Sequence, residues 1–248
     1  RFIMTFPNET LPKGRKQKTT ALYDRFVNQG AVMGDSFGLE NVLWFADNKE
    51  DAHEEPTIKR SRSHDYVSKE VINVRENVGL IEVANFSKHE FKGPDARNFL
   101  DHIMAGKLPK PGRISLTPML TYRGKLYGDL TVACFEENEF MVFGSGAAQE
   151  MHRRWFESHL EKFNVDYKNR SDDFHGLAIA GPKSRDLLQK IVREDVSNSS
   201  FKFRDSRKMF VGGVPAIINR ISFTGELGYE IYVAPHFQLK LYEELTEA

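Results

Sequence analysis

Cysteine is nearly absent: Cys134 stands alone in 248 residues, which excludes an internal disulfide framework and suits a reducing compartment. There is no surplus of either charge. With 35 basic and 35 acidic side chains, no electrostatic footprint points to nucleic acid or to an anionic membrane. No apolar run approaches the roughly 20 residues that span a bilayer. The opening RFIMTF is too short an apolar stretch for a signal peptide. The expectation is a soluble intracellular protein without nucleic-acid or membrane partners. Both ends read as cut, since the chain begins at Arg1 and its last helical pattern runs into Ala248. A piece of a longer polypeptide is expected.

The length allows one large domain or two modest ones. Residues 1–65 are the least regular part and close on the charged run DNKEDAHEEPTIKRSRSHD, a solvated loop by composition. Before it, Tyr23, Phe26, Phe37, Trp44 and Phe45 are too many large apolar groups to leave wet, and an arm packed on another surface is expected. From residue 66 regular structure follows. YVSKEVINVREN has helical spacing, VGLIEVA reads as a buried strand, and GPDARNFLDHIMAG carries helix start and stop signals. Three strands fill residues 113–145, and AAQEMHRRWFESHLEKF is an amphipathic helix. A second unit begins near residue 172 and alternates strands, hairpin turns and two helices. The pattern predicts an α+β class, mostly antiparallel sheets covered by helices. The expected division is an arm over 1–65, a first α+β subdomain over 66–171, and a second, ferredoxin-like and incomplete, over 172–248.

Several chemistries lack their signatures. FMVFGSGAAQ imitates a dinucleotide loop, but Gln149 stands where the third glycine belongs and the surroundings are hairpins. A strand-to-helix turn capped by Ser145 is the expectation. His152 and His159 lie seven apart and the other histidines are scattered, so no metal is expected. Cys134 shares a strand face with Leu130 and Val132 and reads as core. Neither a nucleophile elbow nor a phosphate loop with a lysine occurs.

Two carboxylates remain. In GKLYGDLTVACF, alternation puts Asp129, Thr131 and Ala133 on one face. In FTGELGYEIYV, Glu230 shares a face with Glu226, Gly228 and Tyr232. Two readings stand side by side. Either these are solvent-facing strand charges or a turn cap, or they are carboxylates held at strand mouths to act on a ligand.

The long run from VGLIEVANFSKHEFKGPDARNFLDHIMAG to EENEFMVFGSG, with LAIAGPKSRDLL and ISFTGELGYEIYV after it, resembles the folate-binding half of the aminomethyltransferase (glycine-cleavage T-protein) superfamily. The segment YDRFVNQGAVMGDSFGLENVLWFA resembles the stretch leading into that half in flavin-dependent dimethylglycine and sarcosine dehydrogenases. The resemblance implies a T-protein-like folate-binding fold, truncated before the family's C-terminal barrel. It implies transfer of an iminium-derived one-carbon unit to tetrahydrofolate, giving 5,10-methylenetetrahydrofolate. The iminium comes from an N-methyl amine oxidised by a flavin domain of the same polypeptide. FAD would belong to that missing N-terminal domain and not to this chain. Carried over by motif, Asp129 is the catalytic carboxylate beside the folate N10. Glu230 reads the pterin, and Thr131, Phe223 and Gly144 are further folate contacts. Phe223 departs from the family's usual tyrosine in Tyr-Thr-Gly-Glu. A mitochondrial matrix or a bacterial cytoplasm is implied. Two alternatives stay open: a T-protein-like aminomethyltransferase and a non-catalytic folate-binding module.

Overall fold

Alternating strands joined by tight turns give two five-stranded antiparallel sheets that stack face to face. The structure, a computed structural model, describes residues 9–248. The first sheet orders β5 (Arg113–Leu120), β6 (Leu126–Glu136), β7 (Glu139–Ser145), β4 (Phe86–Lys92) and β8 (Asp166–Asn169). The second orders β10 (Ser206–Val211), β11 (Val214–Asn219), β12 (Gly228–Val233), β9 (His175–Ala180) and β3 (Gly79–Glu82). Strand β3 thus precedes the first sheet in sequence but completes the second. It is an edge strand, paired to β9 alone, with Ile81 64% exposed. The buried strand expected at VGLIEVA is therefore corrected to a half-open edge.

Each sheet has an outer face covered by helices, because its outward residues are apolar at period two. On the first sheet, Phe91, Leu130, Val132, Cys134, Phe140 and Val142 pack with α3 (Ala96–Ile103) and α4 (Gln149–His159). On the second, Tyr229, Ile231 and Val233 join a core with α5 (Ser184–Ile191) and α6 (Gln238–Glu247). The inner faces meet in a third cluster of Ile114, Ala133, Met141 and Phe143 against Val83, Ile217 and Tyr232. Phe143 and Tyr232 touch across it, ring centroids 4.7 Å apart. Gly176, the register partner of Tyr232, makes room for that ring: a Cβ there would lie 2.6 Å from Cε1.

The arm is part of this architecture. Helix α1 (Tyr23–Asn28) and the hairpin β1 (Ala31–Ser36) and β2 (Leu39–Phe45) enter the core of the second sheet. Phe26 lies edge-on to Phe45 at 5.7 Å and to Tyr242 of α6 at 5.6 Å. Phe37 differs. It sits at the hairpin tip with φ of 54°, 76% exposed, so it does not share the packing expected of the arm's aromatics. Helix α2 (Ser63–Glu76) buries no residue fully. It is tied to the hairpin by the stacking of Tyr66 on Trp44 at 5.0 Å. Truncating the bridge between arm and last helix, Phe26→Ala, is expected to destabilise the fold by about 3–5 kcal/mol. Urea denaturation checks this; a loss below about 1 kcal/mol would detach the arm from the fold.

Candidate functional site

The inner face of the first sheet can be read in rows. Leu116, Thr131, Phe143 and Lys88 are register partners across β5, β6, β7 and β4. One row further along β6 lies Asp129, opposite Pro118, while Phe86 pairs Ser145 across β4 and β7. Because alternate residues share a face, Asp129 and Thr131 stand on the same surface as Phe143. Facing them, Glu230 on β12 lies beside Asn219 and Ala178 in the second sheet, one row from Tyr232. The contact between Phe143 and Tyr232 therefore joins the row of Thr131 to the row beneath Glu230.

The two carboxylates differ in setting. Asp129 is exposed, and among the described residues its side chain makes no hydrogen bond or ion pair. It caps no turn. Leu116, on its face of the sheet, is 63% exposed, so this face meets water along the β5 edge. Glu230 is half-buried and accepts a hydrogen bond from the Tyr232 hydroxyl at 2.9 Å. Burial pushes its pKa above the usual carboxylate range, opposed by that hydrogen bond and by the charge of Lys88. Burial and the neighbouring Glu230 together raise the Tyr232 phenol, so it remains a donor.

Two further groups line this face. Asn219 is fully buried; its Oδ1 accepts from Ser206 Oγ at 2.7 Å, while its Nδ2 has no partner. Lys88 is fully buried too, donating from Nζ to the carbonyls of Ala84 at 2.9 Å and Phe86 at 2.7 Å. The alternation FSKHEFK makes Lys88 look like a member of a solvated face, because Glu90 and Lys92 share it. Only the sheet stacking reveals that this face is interior.

The remaining expected contacts are placed as follows. Phe223 sits on the β11–β12 connection and is 95% exposed, with no ring partner among the described residues. Gly144 turns its Cα hydrogens toward the helix layer. A Cβ there would meet Leu130 Cδ2 at 2.7 Å, Ser87 Oγ at 3.1 Å and His152 Nδ1 at 3.2 Å. Glycine is thus required by close packing over His152. The strand-to-helix turn expected here is present, running through a short 3₁₀ turn into α4, but Ser145 makes no side-chain cap, which corrects that part of the expectation. A separate cleft of about 710 Å³ lies between α2, β3 and the arm, lined by Phe45, Val74, Leu80, Ile81, Thr224 and Tyr242. Neither Asp129 nor Glu230 lines it.

Two stacked antiparallel sheets, helices on both outer faces and a carboxylate on each inner face define an α+β fold of the aminomethyltransferase type. The chain belongs to the GCVT N-terminal domain family, which matches residues 22–248. It is 34% identical over 250 residues to mitochondrial dimethylglycine dehydrogenase from Mus musculus, covering 99% of this chain and 28% of that protein. It is 33% identical over 244 residues to sarcosine oxidase subunit alpha from Rhizobium meliloti, covering 93% of this chain and 23% of that protein. An aminomethyltransferase from Thermoanaerobacter pseudethanolicus is 30% identical over 177 residues, 70% of this chain and 48% of that one. The chain therefore spans under a third of the length of the dehydrogenase. Among solved structures, aminomethyltransferase T of the glycine cleavage system from Bartonella henselae superposes with a TM-score of 0.76. It is 21% identical, over 92% of this chain and 57% of that one. That likeness establishes the T-protein fold anticipated from the sequence. No helix among the described residues is long and apolar enough to cross a membrane.

Proposed function

We propose that this domain binds tetrahydrofolate between its two sheets and performs the one-carbon transfer of a dimethylglycine- or sarcosine-dehydrogenase-type enzyme. The observation that carries the reading is Glu230. It is a half-buried carboxylate on an inner face, with one protein hydrogen bond and no ion pair among the described residues. A carboxylate offers about four acceptor sites, so most of this one's capacity is unused. A pterin presents an N–H and an amino group on one edge, a donor pair that a carboxylate accepts in two parallel bonds. The unpartnered Nδ2 of buried Asn219, on the neighbouring strand, suits a ligand that also carries a carbonyl. The residues present therefore fit the group.

Folate is the acceptor substrate and supplies the two amines that take up the one-carbon unit. The protein's work is to bind, orient and shield. Glu230 anchors the pterin. Asp129, uncommitted at the open end, places negative charge where cationic iminium character develops. It also takes the proton leaving the attacking amine, directly or through water. Thr131 is a contact on the same face and Phe223 a stacking surface at the rim, while Gly144, packed against the helix layer, drops out of the expected contacts. In this reading a flavin domain of the same polypeptide oxidises the N-methyl amine and supplies the iminium. The match to the dehydrogenase holds 34% identity over 99% of this chain, whereas aminomethyltransferases of 30–34% identity match over 70% of it, and this fuller coverage favours the branch. Calorimetric titration of the chain with 5-formyltetrahydrofolate, beside p-aminobenzoylglutamate, is the test. Saturable binding of the first and none of the second is expected; absence of binding to 5-formyltetrahydrofolate would overturn the reading.

A further inference from the structure

A lysine buried without an ion pair demands an explanation, because removing an ammonium from water is expensive unless a charge nearby compensates it. Lys88 is such a residue. It projects from the middle of β4 into the interior between the sheets, with no ion pair among the described residues and two backbone carbonyls as its acceptors. Its Nζ lies 5.6 Å from the centroid of the Tyr232 ring. The hydroxyl of that same ring donates to Glu230 at 2.9 Å.

The charged groups that act on Lys88 are Asp172, Lys18, Glu230 and Glu82, and His175 also senses it. Asp172 has its own cation, since Lys18 makes an ion pair with it. Those two act on Lys88 in opposite directions. Glu82 is hydrogen-bonded by Gln238 and Thr20. His175 is held by Gln238 and kept neutral by burial. Glu230 is left with a phenol and no cation in contact. Of the three carboxylates around Lys88, it alone lacks another cation or a double hydrogen-bond clamp.

We infer that Lys88 is the buried counter-charge of Glu230: a positioning residue that acts through Tyr232 to keep the carboxylate ionised and ready for a ligand's donor edge. The inference deepens the folate reading and rests on Glu230 being the ligand's acceptor. Lys88 touches no substrate in this arrangement. Its long apolar stem stacks among the inner-face residues, and its charge works at a distance across the aromatic ring. Burial depresses its own pKa to about 7, so the counter-charge is present below neutrality and fades above it.

The test is a pair of reciprocal NMR titrations on the whole chain. The Glu230 side-chain carboxyl carbon is followed in wild type and Lys88→Met, its signal assigned by loss in Glu230→Gln. The expected result is an upward shift of the Glu230 midpoint by roughly one pH unit in Lys88→Met. Methionine keeps the length of the stem, and near-UV circular dichroism reports whether the packing survives. Should that variant not fold, the reciprocal measurement stands alone: the Lys88 Cε midpoint in Glu230→Gln is expected below its wild-type value, because coupling between two sites is mutual. Unmoved midpoints would overturn the inference, since a merely structural lysine changes stability without moving Glu230. Titration with 5-formyltetrahydrofolate at several pH values, run beside these, separates the two claims. Failure of wild type to bind sinks the folate reading, while the coupling is still decided by the midpoints.

Discussion

Glu230→Gln is expected to weaken binding of 5-formyltetrahydrofolate by roughly ten- to a hundredfold. The magnitude follows from the chemistry of the acceptor. A hydrogen bond to a charged group contributes about 1.5–3 kcal/mol, and each 1.4 kcal/mol is about tenfold in affinity. Glutamine keeps the shape and one acceptor oxygen but replaces the second oxygen with a donor. Against a ligand edge carrying two donors, one pairing becomes a donor facing a donor. In the free protein an amide oxygen can still accept the Tyr232 hydroxyl, so the change in stability should stay at about 1 kcal/mol, the loss of the charge coupled to Lys88. Isothermal calorimetry measures the affinity and thermal unfolding the stability. Unchanged affinity would remove Glu230 from the site.

Asp129→Asn should behave in the opposite way, leaving binding close to wild type and slowing transfer by roughly a hundredfold. One opposite charge at about 4 Å and an effective dielectric near 20 is worth about 4 kcal/mol, an upper bound of about a thousandfold in rate. Asp129 is exposed, so water screens part of that field and the expected loss falls below the bound. On the proposed reading, the measurement is 5,10-methylenetetrahydrofolate formed per N-methyl amine oxidised, in a full-length enzyme that joins this chain to a flavin domain. If the Asp129→Asn variant left that yield unchanged, the catalytic assignment of Asp129 would be wrong. The same experiment separates the rival readings, because a non-catalytic folate module would show no transfer to lose.

The two carboxylates show what alternation alone can and cannot deliver. Period two correctly separated Leu130, Val132 and Cys134, all fully buried under α3 and α4, from the Asp129 face. It likewise placed Tyr229 and Ile231 opposite Glu230. What alternation cannot say is whether a polar face meets water or another sheet. Lys88 and Glu90 share the polar side of β4, and only the stacking of Phe143 on Tyr232 makes that side interior. Asn219 was hidden for the same reason, since an asparagine at a strand end ordinarily signals a turn. The edge position of β3 was also illegible, because GLIEV carries the composition of a central strand and pairs with β9, far along the chain. The arm was legible as something that must pack, through Phe26 and Trp44. Its partner, Tyr242 on the last helix, was not, because nothing local encodes a contact across most of the chain.

The decisive measurement is a crystal structure of the chain soaked with 5-formyltetrahydrofolate. The expected result is density for a pterin between the two sheets, its amino edge on Glu230 and its N5–N10 end toward Asp129. A ligand seated instead in the 710 Å³ cleft between α2, β3 and the arm would contradict the assignment of the site to the facing carboxylates.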